Sequence, residues 1–482
     1  MNLRNHRELR KKVLVLGAAA LAMCIPRPSY AINEDRMHEL EEQLTTMQSM
    51  MSAMQQELQT LRTEQQQEKE EQARKQNVLA EEVDKLRTSL TIPEFKPLTI
   101  EDSVYGLGPA ASKVYGVTSG LSLGGYGEAF YRKDVGDKTK SDRDTADFLR
   151  FVLYAGYKFT DRIILNAELE FEHATTSSTE SSGGGSVSVE FAYLDFLIWK
   201  WMNFRAGMLL VPMGIINELH EPVFFKGVER PEVERRIIPS TWRENGIGIF
   251  GELDELAEGL EYRIYGINGL NAEGFRDHGF RDGRQKGNHT LAEDIAFVAR
   301  LDYSPTPNFM LGASVYTGDS GQNQKIDAVE LPDSRTTIWE LHSIYRYAGL
   351  EARGLFAMSH LGDAGELTDA LREIGELGSS RTLASQMIGG YSEISYDIMP
   401  LLYPGSEHAL TPFFRFSYLN LQHKTQSGSH YKANLSREMR IWTPGVSYKP
   451  HPNVVLKVDY RNFDTVKGHR ANEVNFGIGF VF

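Results

Sequence analysis

Between residues 211 and 242, bulky apolar side chains are interleaved with charges of both signs. Met213, Ile215, Ile216, Val223, Phe224, Phe225, Val228, Ile237 and Ile238 are set among Glu218, Glu221, Lys226, Glu229, Arg230, Glu232, Glu234, Arg235 and Arg236. Such a mixture does electrostatic work rather than bond making. In a narrow space of low dielectric, opposed guanidinium and carboxylate groups act on an ion far more strongly than the same charges in bulk water. Connections beyond ~12–15 residues are usually functional or disordered, and this composition is not that of disorder. The stretch is expected to fold into an enclosure and narrow it. Lys226, Glu229, Arg230, Glu232, Glu234, Arg235, Arg236 and the adjoining Arg243 would form the constriction. The alternative is a large, partly helical outer loop.

Other chemistry-bearing patterns carry less. Gly246-Ile247-Gly248-Ile249-Phe250-Gly251 matches G-x-G-x-x-G, but a dinucleotide site needs a strand before it and a helix opening after it. Here the motif lies inside an alternating segment, where glycines relieve crowding. The histidines show no metal-ligand spacing. Ser359-His360 has no context that marks a nucleophile. The single cysteine, Cys24, excludes an internal disulfide and a thiolate cluster. No catalytic residue, metal or cofactor is therefore expected, and the chain is not read as an enzyme. A formal charge of −13 with no long basic block argues against nucleic acid as a partner.

The elements that must position the charged loop follow from period-two alternation. Ile163, Leu165, Ala167, Leu169 and Phe171 are apolar, with Asn166, Glu168 and Glu170 between them. Leu149, Phe151, Leu153, Ala155, Tyr157 and Phe159 repeat the pattern against Arg150 and Lys158. Val474, Phe476, Ile478, Phe480 and Phe482 end the chain. About sixteen such segments fit between 117 and 482, each near the ~9–11 residues that cross a bilayer as a strand. Tight connections, such as 159–162, 303–307 and 449–453, alternate with long polar ones at 132–145, 173–185, 271–292, 319–334, 362–383 and 422–435. Short turns at one end and long loops at the other mark an outer-membrane barrel. An all-β transmembrane fold is thus expected, a 16-stranded antiparallel barrel over 117–482 in a Gram-negative outer membrane. Its apolar face would meet lipid. Arg150, Glu168, Arg300, Asp302, Lys457 and Arg461 would line a water-filled lumen wall.

The N-terminal quarter is different. Basic residues through Lys12, the apolar stretch 13–23 and Ser29-Tyr30-Ala31 read as a signal peptide over 1–31. From Met37 the apolar residues run Leu40, Leu44, Met47, Met51, Met54, Leu58 and Leu61, at alternating spacings of three and four. That is the seam of a coiled coil over 32–90, which needs partner strands. Residues 91–116, with Pro93 and Pro97 at their start, read as a linker.

The window 203–253 resembles the phosphate-selective porin O and P family. The resemblance rests on Gly207, Pro212, Gly214, Phe225, Glu229, Arg230, Gly246, Gly248 and Gly251, with Phe482 at the end of the chain. It implies a sixteen-stranded barrel, a homotrimer and a solute channel whose third outer loop enters the lumen; some relatives carry an N-terminal coiled coil. Met208-Leu209-Leu210-Val211 stands where phosphate-selective members often have a basic residue, so phosphate specificity is not implied. The expectation is passive diffusion of small hydrophilic solutes or ions with weak selectivity. The rivals are a structural tether, in which the rod contacts the cell wall, and a sugar channel built on lumen aromatics such as Tyr126, Tyr154, Phe224 and Phe225.

Overall fold

The structure, a computed structural model, describes residues 34–89, 97–136, 144–173 and 184–482. The expected signal peptide, residues 90–96 and the middles of the first two long loops lie outside the described residues. The chain divides into two compact units, Met1–Leu86 and Arg87–Phe482.

The described residues of the first unit lie in one helix, α1 (Glu34–Ser89), 56 residues long. No proline or glycine interrupts it, and Gln, Glu, Lys and Leu sustain it. Met37, Leu40, Leu44, Met47, Met51, Met54, Leu58 and Leu61 all lie exposed on the single chain. No described helix is long and apolar enough to cross a membrane.

The second unit is a closed barrel of sixteen antiparallel strands. They are β1 (Gly120–Val135), β2 (Thr145–Thr160), β3 (Ile163–Glu172), β4 (Ser186–Trp199), β5 (Met202–Leu210), β6 (Arg243–Glu252), β7 (Leu260–Asn268) and β8 (Ile295–Thr306). There follow β9 (Phe309–Gly318), β10 (Thr336–Tyr347), β11 (Leu350–Leu361), β12 (Gln386–Tyr396), β13 (Ala409–Lys424), β14 (Glu438–His451), β15 (Val454–Thr465) and β16 (Asn472–Val481). Each strand pairs with its sequence neighbours, and β1 closes on β16 in the register Tyr126 with Val481 and Glu128 with Gly479. Gly125 and Phe482 exchange backbone hydrogen bonds of 2.9 Å in both directions, so the last residue completes the seam. Closure leaves no open edge, as a bilayer demands.

Alternation sorts the side chains as the sequence implies. Leu123, Phe159, Ile295, Leu311, Leu341, Phe476 and Ile478 are exposed on the outer wall, while Arg150, Glu168, Glu170, Arg300 and Lys457 are buried on the inner one. The turns after β2, β8, β10 and β14 are two residues each, whereas the β5–β6 connection spans 211–242 and the β7–β8 connection spans 269–294. Trp199, Trp201, Tyr303, Tyr347 and Tyr396 stand exposed close to the short-turn end. Trp199 and Trp201 stack at 5.4 Å across their turn. Such a ring of aromatics suits a membrane–water boundary.

Within 91–116, read as a linker, Pro109–Gly116 forms a helix, α2. Its Ala110, Ala111 and Val114 are buried, as are Leu98 and Leu107 before it. The G-x-G-x-x-G motif lies wholly within β6. A Cβ on Gly248 would fall 2.2 Å from the Ile264 carbonyl, so crowding explains that glycine.

Candidate functional site

The β5–β6 connection turns into the barrel. Its neck is stapled by Asn217: the side-chain amide donates to the carbonyls of Val211 (2.7 Å) and Trp242 (3.0 Å), and its oxygen accepts from the Trp242 amide (2.8 Å). Val211 N also donates to Trp242 O at 3.0 Å. The Trp242 ring, fully buried, packs on Tyr316 of β9 with centroids 4.8 Å apart. One amide thus satisfies both sides of the loop mouth beside the last backbone bond of the ladder.

Wall residues then hold the loop along its length. Arg300 of β8 donates to Gly214 O, and Arg263 of β7 donates to Glu218 at 3.1 Å. His220 meets Glu168 of β3 at 3.3 Å. Arg353 of β11 donates to Phe224 O at 3.2 Å. Lys457 of β15 donates to Gly227 O at 2.9 Å, and its ammonium sits 3.7 Å from the Phe225 ring centroid. Asp459 of β15 accepts from Val228 N at 2.6 Å, and Arg415 of β13 donates to Glu229 O at 3.2 Å. Backbone groups that would lose water inside the barrel are met by charged wall groups, which make the stronger kind of hydrogen bond.

The eight candidate constriction residues separate into two groups. Glu234 is fully buried and accepts from Ile215 N (2.9 Å), Ile216 N (2.6 Å) and Tyr391 OH (2.6 Å). Glu232 accepts from Arg461 at 2.9 Å and from Arg236 at 3.1 Å. Lys226 stands 3.7 Å from Glu351, and Arg243, at the foot of β6, pairs with Glu190. These groups hold the loop and its foot. Arg235 meets Glu229 only at 3.9 Å, with its side chain 42% exposed. Arg230 makes no ion pair among the described residues, and its Nη2 is buried without a hydrogen-bond partner.

Two cations that sequence reasoning missed join them from the β7–β8 loop. Arg284 donates to the carbonyls of Ser240 (2.9 Å) and Thr241 (2.6 Å), and Arg281 donates to Ser240 O and Thr241 Oγ1. Burial first, then the neighbouring Arg284, Arg235, Arg230 and Arg236, hold the Arg281 guanidinium below its usual range. Like charges are therefore gathered on one side of the loop. Only the long polar stretch 271–292 hinted at this, and nothing in it pointed to residues 239–241 as the destination.

Four of the six lumen-wall candidates, Arg150, Arg300, Asp302 and Arg461, are ion-paired as well, while Glu168 meets His220 and Lys457 is held by the Gly227 carbonyl. Arg150 meets Glu128 (2.8 Å) and Glu170 (3.1 Å), Arg300 meets Asp302 (2.7 Å), and Arg461 meets Glu473 (2.9 Å). Tyr126, Tyr154, Phe191 and Tyr193 follow one another on the inner wall at centroid steps of 6.0, 6.1 and 5.4 Å. That row keeps Tyr126 and Tyr154 of the four aromatics named from the sequence and adds Phe191 and Tyr193, but all four rings are buried.

No family model matches the chain. A protein of Aquifex aeolicus (strain VF5), described only as uncharacterized, is 36% identical over 399 residues, 81% of this chain and 85% of that protein. Among solved structures, the outer-membrane channel DcaP of Acinetobacter baumannii is similar over 75% of this chain and 97% of its own, with 15% identity and a TM-score of 0.47. OmpF of Salmonella typhi, solved with daunomycin, matches 76% of this chain and 98% of its own, with 13% identity and a TM-score of 0.47. An anion-selective porin from Comamonas acidovorans matches 76% and 100%, with 11% identity and a TM-score of 0.45.

Proposed function

This chain belongs to one family with the uncharacterized Aquifex aeolicus protein, and we propose that it is an outer-membrane porin, a passive channel for small hydrophilic solutes or ions. The observation that carries this reading is a closed sixteen-stranded barrel with an apolar outer wall, a charged inner wall and a charged loop crossing its interior. An anchor alone would have no use for an interior built of ion pairs. Residues 211–242 form the constriction. Glu232 and Glu234 are engaged in holding the loop, whereas Arg230 and Arg235 are the least paired of its charges. Selectivity is therefore weak and leans toward anions, without phosphate specificity. Conductance and reversal potential of the purified full-length protein in planar bilayers test the proposal. An absence of current would leave the tether reading in its place.

The molecule works as a homotrimer in the outer membrane. Its signal peptide is removed at residue 31, and the helix α1 pairs with its copies in a periplasmic coiled coil. The motive is the exposed 3-4 seam. The chain also enters the barrel at the short-turn end, where Leu98 N donates to Asn453 Oδ1 in the β14–β15 turn, and short turns are periplasmic. At ~1.5 Å per residue α1 would span roughly 80 Å, enough to reach a cell wall. Protease attack on α1 in intact cells would overturn this placement.

A further inference from the structure

We infer that residues 98–117 are a displaceable plug, a second obstruction inside the barrel that narrows the path near the short-turn end. The inference rests on the porin reading. The segment reaches across the interior near the short-turn end. Leu98 is tied to the β14–β15 turn, and Tyr105 packs on Phe250 of β6 with centroids 4.8 Å apart. Tyr115 donates to Asp195 of β4 at 2.6 Å, and Lys158 of β2 donates to Val117 O at 3.0 Å. Asn166 of β3 donates to Ala111 O at 2.9 Å. The constriction loop contributes Glu221, which accepts from Ala110 N at 3.0 Å. Plug and loop therefore share a contact.

The wall is shaped to seat it. Gly124 and Gly156 lie on the inner faces of β1 and β2, beneath α2. A Cβ on Gly156 would fall 2.5 Å from the Val114 Cβ, and one on Gly124 would fall 3.0 Å from the Ala110 carbonyl. Gly106, at φ +82°, passes so close to Arg263 that a Cβ would lie 2.6 Å from the guanidinium carbon. Gly156 is required by the seated Val114, Gly124 makes room for both Ala110 and Phe482, and Gly106, within the segment, is required by its positive φ as well as by Arg263.

The attachment is nonetheless separable from the barrel. The segment contributes no strand, so the sixteen-stranded ladder closes without it. A free helix of eight residues has no stability of its own, so α2 persists only in its seat. Among the described residues, two cavities remain near the short-turn end: one of about 330 Å³ lined among others by Lys226, Arg346, Glu351, Asp397 and Lys449, and one of about 250 Å³ along the segment itself, lined among others by Ile100, Tyr105, Gly106, Arg263 and Arg346. With the segment seated, solutes have only these small spaces beside it; with it displaced, they have a wider opening.

The test is single-channel conductance of the full-length protein in planar bilayers, with folding checked by heat-modifiable gel mobility. One variant replaces 98–117 by a Gly/Ser segment of equal length. Gly156→Val expels Val114 without touching the lipid face. Both are expected to raise conductance at least two-fold. In a third, Lys113→Cys, labelling by a charged methanethiosulfonate reagent is expected to reduce the current. A folded replacement variant with wild-type conductance overturns the plug, as does an unchanged current after complete labelling. If Gly156→Val does not fold, the replacement variant decides. A silent wild type beside a conducting replacement supports the plug, whereas silence of both overturns the porin reading itself.

Discussion

Glu232 and Arg461 stand 2.9 Å apart although 229 residues separate them in the chain. The carboxylate lies in the loop's short helix (Glu232–Arg236) and the guanidinium on β15. Arg461 also holds Glu473 of β16 at 2.9 Å. This contact ties the far end of the loop to the wall and removes one carboxylate from the charges a solute would meet.

Glu234→Ala removes three accepted hydrogen bonds from the loop. Each buried donor left unsatisfied costs about 1–3 kcal/mol. The barrel is expected to stay folded, with heat-modifiable mobility unchanged, while the loop becomes accessible to protease and the current noisier. Tyr391→Phe should lose about 1 kcal/mol and show the same effects weakly. A quiet, protease-resistant Glu234→Ala channel would mean these bonds do not hold the loop.

Changing Arg235 and Arg236 together to Glu should move the reversal potential toward cations and leave the barrel folded, because lumen charges tune selectivity whereas lipid-face charges destabilise. Arg230→Ala should shift it in the same direction by less. If reversal potential and conductance both stay at wild-type values, the loop lies off the permeation path.

Asp277 joins three outer loops. It accepts from Arg437 at 3.0 Å and lies 3.5 Å from Arg381. Burial alone would raise its carboxyl, but the His278 hydrogen bond and the Arg437 and Arg381 charges hold it down at about 2. For an acid with a depressed folded pKa, the stabilisation is present above the unfolded value of ~3.9 and is lost as pH falls through the folded one. Protease protection of residues 273–284 should therefore persist at pH 5 and collapse only as pH approaches about 2. Asp277→Asn should lack much of that protection at pH 7. A midpoint near pH 4 in the wild type would contradict this linkage.

Deleting 32–90 should leave a folded barrel whose trimers dissociate more readily on heating. The exposed seam from Met37 to Leu61 is the reason, since a lone helix cannot bury that stripe. Crosslinking yields and heat resistance equal to the wild type would assign α1 another task.

Period-two alternation carried the face of most residues directly. A one-residue slip would have flipped Glu168 and Glu170 to the lipid side, so their placement was already determined along β3. The same holds for Lys457 and Arg461 on β15 and for the final aromatics ending in Phe482. The unusual composition of 211–242 also showed locally. What each of those charges does was not local. Gly227 meets Lys457 across 230 residues and Val228 meets Asp459 across 231, distances that exist only once sixteen strands have closed. Closure alone made Glu234 a buried acceptor, brought Arg281 and Arg284 to the end of the loop and gave α2 its glycine seat. Alternation is set by the backbone of each strand, residue by residue. The pairing of charges across a lumen is set by the diameter and register of the whole sheet, which no single segment contains.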